Sequence, residues 1–382
     1  MKEKPLLSIV VPTKDRYYYL KQLILLIKNF NSEEIELVIQ DNTTDNAEIL
    51  EFIADLKYGN LKYFHTKGQI PIYLNADKAI RNSNGEFVCM VGDDDGVTRY
   101  IVDACNWMKT NSVECLTCKG FYYRWPDAIT AKRFKGTLEV SSWDFTTRIL
   151  YTKDVLKDLM DKGMINRGDL PLVYHGIVKR STLDKIWDVC GSFFPGASPD
   201  IANGIALSLV TERVAISTIP YAYSGASQHL GGGATKIKDQ ATTNFKDIPF
   251  LPSNIESIWN KRVPKVWAAC SIWCESAIEA MEKMERYDLI RKINYEALYE
   301  EFVCSFYSYR FYAYQLTENK LSLFLRSSNR IISRYRKKIV RKIKRDLLKI
   351  DKDIKIYSDL NNILEANKLI ENLIKENVRI QQ

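Results

Sequence analysis

The residues best suited to chemistry are carboxylates. Gly92-Asp93-Asp94-Asp95-Gly96 places three adjacent acids directly after the apolar run Phe87-Val88-Cys89-Met90-Val91. Adjacent carboxylates repel one another, and a folded chain tolerates them best when a cation neutralises them. Carboxylate oxygens suit hard divalent ions, and Mg²⁺ or Mn²⁺ held this way commonly bridges to substrate phosphates. The alternative is a solvated acidic turn. Two further acids stand where a loop would present them. Asp41 follows the apolar residues 35–40, and Asp200 follows Pro195-Gly196-Ala197-Ser198-Pro199 at the start of a helical pattern. Each can cap a turn or helix. Each can equally accept a ligand hydrogen bond or take a proton.

The elements that must hold these acids follow from hydropathy. Residues 7–11, 35–40, 61–65 and 87–91 read as short strands. Residues 17–30, 47–57 and 72–82 read as amphipathic helices between them, with Leu20, Leu23, Ile24 and Ile27 on one face of the first. This alternation predicts an α/β fold with a doubly wound, mainly parallel sheet. Ligands of such sheets sit beyond the carboxyl ends of the strands, where residues 13–16, 41–45 and 93–95 fall. Further on, 173–178 reads as a strand, with His175 either a core residue or an acceptor contact, and 181–189 and 201–209 as helices. Gly231-Gly232-Gly233 marks a loop. Residues 266–284 and 295–316 read as long helices, and 321–382 as helix alone.

The chain has 382 residues, 46% of them hydrophobic and 27% charged, which excludes a wholly disordered protein. Residues 326–349 hold eleven Lys or Arg and one acid, so of the net +8 this segment supplies +10 and the rest carries −2. Ile331, Ile332, Tyr335, Ile339, Ile343, Leu347 and Ile350 recur there at helical spacing, and Leu321-Ser322-Leu323-Phe324-Leu325 precedes them. A basic amphipathic helix of this kind suits an anionic membrane surface. No nucleic acid is expected as partner, because nothing else resembles a nucleic-acid-binding fold. Residues 351–382 read as a more balanced helix suited to a coiled partner, leaving a homo-oligomer through the C-terminal helices open. No stretch of about 18 apolar residues offers a spanning helix, and the first apolar run meets Pro12 after six residues, too short for a secretory core. The eight cysteines, including Cys115-x-x-Cys118 and the pair Cys270 and Cys274, read as buried free thiols of a reducing compartment.

Taken together, three segments resemble glycosyltransferase family 2, whose members have the GT-A fold of nucleotide-diphospho-sugar transferases. Leu7-Ser8-Ile9-Val10-Val11-Pro12-Thr13-Lys14-Asp15-Arg16 resembles the family's first strand and nucleotide loop. Glu36-Leu37-Val38-Ile39-Gln40-Asp41-Asn42-Thr43-Thr44-Asp45 resembles its second strand and acidic loop. Asn84-Gly85-Glu86-Phe87-Val88 leading into Asp93-Asp94-Asp95 resembles its approach to the metal-binding DxD element. The resemblance extends over about residues 5–225, most closely in the first hundred.

It implies roles residue by residue. Pro12, Thr13 and Asp15 would border the nucleotide, Asp41 would meet base or ribose, and Arg81, like Lys78, would reach phosphate or base. Asp93 and Asp94 would face the donor diphosphate. Gly92 stands where the family commonly has an acid, which leaves the metal pair within 93–95 open. Asp95 is the first choice, with Asp93 and, from the loop after the base, His229; Lys236 would meet phosphate. Asp200 would be the general base of an inverting transfer, with Asp169 and Asp184 as weaker rivals.

The combined expectation is a metal-dependent (Mn²⁺ or Mg²⁺) inverting hexosyl- or N-acetylhexosaminyltransferase. It would move a single sugar from a nucleotide sugar, most readily a UDP-sugar, to a hydroxyl of a lipid-linked or polysaccharide acceptor. The setting would be bacterial surface glycan synthesis, with the chain cytoplasmic and peripheral on the inner face of the membrane. No QxxRW element of processive members is present. The domains expected are a catalytic 1–240, a helical 241–325 packed upon it, and 326–382 with the basic and terminal helices. Two rivals are a sugar-nucleotide nucleotidyltransferase and an inactive membrane-associated scaffold with a transferase fold. The first should carry a glycine-rich phosphate loop, which Pro12-Thr13-Lys14-Asp15-Arg16 lacks; against the second stand the intact Asp41, Asp93–Asp95 and Asp200.

Overall fold

The structure, a computed structural model, describes residues 4–378 apart from 69, 130–131, 142–143, 229–240, 249–250, 252–253 and 349–353; for 247, 341–348 and 378 it describes the backbone only. The strands are β1 (Leu7–Thr13), β2 (Ile35–Asp41), β3 (Leu61–His65), β4 (Phe87–Met90), β5 (Gly96–Val97), β6 (Cys115–Cys118), β7 (Phe121–Arg124), β8 (Thr137–Val140), β9 (Thr147–Tyr151), β10 (Gly176–Lys179), β11 (Arg213–Ser217), β12 (Ala222–Ala226) and β13 (Lys355–Tyr357). The helices of the first half are α1 (Tyr17–Lys28), α2 (Ala47–Leu56), α3 (Ile72–Arg81), α4 (Ile101–Thr110), α5 (Thr152–Asp161), α6 (Arg180–Cys190) and α7 (Pro199–Val210). Those of the second half are α8 (Ile255–Ile258), α9 (Ala269–Lys283), α10 (Tyr287–Ile290), α11 (Tyr295–Ser305), α12 (Arg310–Leu316), α13 (Lys320–Leu348) and α14 (Ile363–Val378).

The large sheet runs β3-β2-β1-β4-β10-β6-β11-β9. Its first four strands are parallel, β10 runs antiparallel to both neighbours, and β9 is antiparallel to β11. Both faces are covered, which is why β1 and β2 are buried nearly throughout and their central residues 9–11 and 37–39 are apolar without alternation. Leu7, Ile9 and Val11 point into the core under α1, α4 and α14, whereas Val10 points to the core with α3, α5, α7 and α9. A smaller sheet, β13-β8-β7-β12-β5, stands beside the carboxyl end of β4. The α/β fold with a C-terminal helical extension thus follows the sequence expectation.

Three differences concern the C-terminal half. The pattern over 295–316 is not one helix: Phe306 leaves helical geometry at φ −129° and ψ 57°, and Tyr307–Tyr309 is a 3-10 turn between α11 and α12. Residues 351–382 are not helix alone, since β13 pairs antiparallel to β8. Nor is α14 free for a coiled partner. Its Ile363, Ala366, Ile370, Leu373 and Ile374 are buried in the same core as Tyr123, Tyr223 and Leu138. The start of α14 is capped: Asn362 Oδ1 accepts from Glu365 N at 3.0 Å, and Glu365 Oε2 from Asn361 N at 2.8 Å.

The basic helix is partly spent on the fold. Arg326 pairs with Glu296 at 2.5 Å, Arg330 with Glu300 at 3.2 Å and Glu301 at 2.7 Å, and Arg334 with Glu301 at 2.6 Å. These pairs fasten α13 to α11. Arg336, Lys337 and Lys338 are exposed. Among the described residues no helix is long and apolar enough to cross a membrane.

Candidate functional site

β1, β4 and α7 converge on a cleft of about 510 Å³. Pro12, Thr13 and Arg16 line it from the β1 end, Asn42 from the β2 end, and Tyr73, Asn75 and Ala76 from α3. Gly92, Asp93 and Asp94 of the acidic turn line it as well, together with Tyr174, Ser198, Pro199 and Asp200. The carboxyl ends of the strands thus supply the acids, as the topology requires.

The acidic turn is held by partners far away in the chain. Thr13 Oγ1 donates to Asp93 Oδ2 at 2.6 Å. Arg16 reaches both neighbours: Nε lies 3.0 Å from Asp93 Oδ1 and Nη2 lies 2.5 Å from Asp94 Oδ2. Arg16 Nη2 also donates to Ser227 Oγ (2.6 Å), and Ser227 donates its hydroxyl and amide to Asp94 Oδ2 at 2.7 and 3.2 Å. Asp95 turns inward. Its Oδ1 accepts from Gly225 N (2.7 Å), its Oδ2 from Gly92 N (2.6 Å), and His175 Nε2 lies 2.6 Å from Oδ2. Gly225 is needed there, because a Cβ would come within 1.8 Å of Asp94 O. His175 sits in the left-handed region at φ +56°, uncommon for a residue with a side chain, with its ring centroid 3.9 Å from that of Tyr174.

These contacts sort the charges. Burial pushes the Asp93 carboxyl up against the pull of Arg16, with repulsion from Asp94 adding to the rise. Burial and repulsion from Asp95 likewise raise Asp94, again opposed by Arg16. Burial works against the ionised Asp95 too, but His175 and the two amides outweigh it and hold that carboxyl below its ordinary range.

Fit to a divalent cation turns on which carboxylates line the cleft. Asp95 does not, and its oxygens are taken by Gly225, Gly92 and His175, so the sequence expectation of Asp95 as a cation ligand is corrected: it is the anchor that fixes the turn. Asp94 Oδ1 accepts no hydrogen bond from a described residue, and Asp94 lines the cleft next to Asp93. Among the described residues no group of three or more His, Cys, Asp or Glu forms a cage. One or two carboxylates are nonetheless the usual protein share for Mg²⁺ or Mn²⁺ that also meets phosphate. Asp94 with Asp93 fits that donor set. His229 and Lys236 lie outside the described residues.

Asp200 stands in the first turn of α7, with Ser198 preceding the helix and Pro199 at its first position. Its carboxylate accepts no hydrogen bond from a described residue, unlike a helix cap, and it is half-buried in the cleft wall. Enclosure raises its carboxyl above the ordinary value; His175 and Arg167 pull it down and Asp95 adds to the rise. The preceding loop is fastened from three helices. Phe193 N and Ser192 Oγ donate to Asp77 of α3 at 2.8 and 2.7 Å. Ala197 N donates to Glu279 (3.0 Å) and Ser198 N to Ser276 Oγ (2.7 Å), both on α9. Asn203 of α7 donates to Phe193 O at 3.0 Å. The helical extension therefore takes part in aiming Asp200.

Other expected residues are placed differently. Asp41 is buried and already satisfied: Tyr17 and Tyr63 hydroxyls donate to Oδ2 at 2.6 and 2.7 Å, and Thr43 N donates to Oδ1 at 2.7 Å. Asn42, one residue on, lines the cleft instead. Arg81 stacks on the Trp187 ring, 4.3 Å from its centroid, away from the cleft-lining residues. Asp15 is exposed with φ +57°, and its amide donates to Thr43 Oγ1 at 2.7 Å. Lys78 reaches Thr66 (3.2 Å), and Asp169 is paired with Lys119 and Arg148. Pro12, Thr13, Asp93, Asp94 and Asp200 share the one cleft. Sequence reading missed Arg16, Ser227, Asn75 and the braces from α9. The Asn75 side-chain oxygen is buried with no hydrogen-bond partner among the described residues while its amide bridges Thr13 O and Gln40 O, both at 3.2 Å.

Comparison with known proteins adds the family. No curated protein matches the chain. Similar solved structures include S. aureus TarS 1-349, 18% identical, covering 57% of this chain and 60% of that one at a TM-score of 0.42. S. aureus TarS is 16% identical, covering 75% and 55% at 0.42. S. aureus TarS 1-349 in complex with UDP-GlcNAc is 14% identical, covering 81% and 88% at 0.47. The chain thus spans less than two thirds of the first two. Residues 8–169, which hold β1 from Ser8 onward, β2 and the whole acidic turn, match the model of glycosyl transferase family 2.

Proposed function

We propose that the protein is a metal-dependent inverting glycosyltransferase that moves one sugar from a nucleotide-sugar donor, a UDP-sugar first among them, to a hydroxyl of a lipid-linked or polysaccharide acceptor. The observation that carries this reading is the pairing of two kinds of carboxylate in one cleft. Asp93 and Asp94 stand on the acidic turn within the matched segment, and Asp200 of α7, which accepts no hydrogen bond from a described residue, lines the same cleft. In this reading Asp200 takes the proton of the acceptor hydroxyl as that oxygen attacks the anomeric carbon, and the nucleoside diphosphate leaves. A bound Mg²⁺ or Mn²⁺, held by Asp94 and Asp93, would supply charge neutralisation for the diphosphate. Thr13 fixes the Asp93 carboxylate, and the loop tied to Asp77, Ser276 and Glu279 holds Asp200 at its distance. A panel of nucleotide sugars, each with and without Mn²⁺, tests it: thermal stabilisation and turnover of at least one donor only with the cation are expected. Failure of every donor to stabilise or turn over favours the inactive scaffold instead.

Bacterial surface glycan synthesis, on the cytoplasmic face of the membrane, is the setting we propose. Support for the membrane comes from α13, where Phe324, Ile332, Tyr335, Ile339 and Val340 are exposed beside Arg336, Lys337 and Lys338. Because Arg326, Arg330 and Arg334 are already paired with α11, the attraction rests on the second half of the helix, at about 1 kcal/mol per basic residue near an anionic surface. Changing Arg336, Lys337 and Lys338 together to Glu is expected to abolish sedimentation with phosphatidylglycerol-rich vesicles while leaving the melting temperature unchanged. Equal sedimentation of the variant and the unaltered protein would refute the membrane reading.

A further inference from the structure

The two carboxylates of the proposed cation site already have a positive partner: the Arg16 guanidinium reaches one oxygen of each. Arg16 meets Asp93 Oδ1 and Asp94 Oδ2 at 3.0 and 2.5 Å, and donates to Ser227 Oγ at 2.6 Å. Its guanidinium also lies over the Tyr19 ring, with the central carbon 5.2 Å from the centroid. Only 14% of its side chain is exposed. Two carboxylates this deeply buried would repel each other strongly without a positive partner. A divalent ion held by the same two carboxylates would bring a second positive charge beside this guanidinium.

We propose that Arg16 is the resident counter-cation of this turn and competes with the divalent ion for Asp93 and Asp94. This inference rests on the proposed cation role of those two residues. Arg16 preforms the turn before donor arrives, and the divalent ion binds both carboxylates only as Arg16 lets go. Arg16 also lines the cleft, so the released guanidinium has an anionic alternative once a diphosphate is present, with which it pairs in bidentate fashion. Cation and donor are then linked: either one, bound first, improves the site for the other by the same factor. Arg16 is a positioning residue in this scheme, acting on the acids rather than on the sugar.

The test is Mn²⁺ binding to the isolated full chain, read from the free-ion electron paramagnetic resonance signal, with and without UDP and with UDP-only controls subtracted. The unaltered protein is expected to bind Mn²⁺ weakly alone and at least tenfold more tightly with UDP. Arg16→Gln is expected to bind Mn²⁺ alone at least tenfold more tightly than the unaltered protein, with less further gain from UDP. Arg16→Lys, which keeps the charge but cannot span both carboxylates, should fall between and covers the case in which the Gln variant does not fold. Equal Mn²⁺ affinity across the folded variants overturns the competition while leaving the cation reading intact. Absence of Mn²⁺ binding in all of them, with UDP present, overturns both.

Discussion

Asp200→Asn is expected to lower transfer by about 10²–10⁴-fold while leaving nucleotide-sugar affinity within a few-fold, the range ascribed to a positioned general base. Asn is nearly isosteric and the carboxylate accepts no described hydrogen bond, so α7 should keep its place. The same residue should shape the acid side of the pH profile. Its carboxyl is raised above the ordinary value by enclosure in the cleft wall, with His175 and Arg167 opposing. A raised carboxyl is protonated, and inactive as a base, at a pH where an ordinary one is still ionised. The kcat/KM of the unaltered enzyme should therefore fall with decreasing pH earlier than a free Asp would dictate, and Asp200→Asn should lose that limb. A variant that transfers at near the unaltered rate, or keeps the acid limb, would remove Asp200 from the base role and turn attention to the His175 side of the cleft.

Legibility from sequence followed the range over which each feature is specified. The strands β1, β2, β3 and β4 and the helices between them were visible because their cause is local: apolar runs with turn residues at their ends. The acidic turn was visible for the same reason, being five consecutive residues. What its acids do was not, because each is settled by a distant partner. Arg16 meets Ser227 across 211 positions, and Ser227 meets Asp94 across 133. The choice of Asp95 as a ligand went astray because nothing near it in sequence announces that Gly225 and His175 will take its oxygens. Asp41 misled for the opposite reason: it stands at the right strand end, but Tyr17 and Tyr63 converge on it from neighbouring elements and close it off. Arg81 points to the ring of Trp187, a contact between two helices that no periodicity in either one reveals. The braces Ser276 and Glu279 could not be read at all, since α9 looks like any buried amphipathic helix until its position over the Asp200 loop is known.

Removing residues 354–382 is expected to yield a chain that no longer melts cooperatively, although those residues lie far along the sequence from every acid in the cleft. α14 packs on β12 and β5. Tyr223 donates to Asn367 at 3.3 Å, and the Arg99 amide and guanidinium donate to Glu371 at 3.1 and 2.9 Å. Arg99 follows β5 directly, and β12 carries Gly225, whose amide fixes Asp95. Loss of α14 would leave Tyr123 and Tyr223 against water and the small sheet without one wall. A graded version keeps the chain folded: Ile370→Ala removes buried apolar volume at an expected loss of about 2–5 kcal/mol, visible as a melting temperature lower by several degrees. Ile339→Ala, on the exposed stretch of α13, should change stability by no more than about 0.5 kcal/mol. Because β5 and β12 hold the acidic turn, Ile370→Ala should also weaken Mn²⁺ and nucleotide binding together, whereas Ile339→Ala should leave both alone. An unchanged melting temperature in Ile370→Ala would mean that α14 does not dock on this sheet. If α14 docks as described, membrane association has to be measured by changing charges within α13, since any cut before Arg326 also strips α14 from the small sheet.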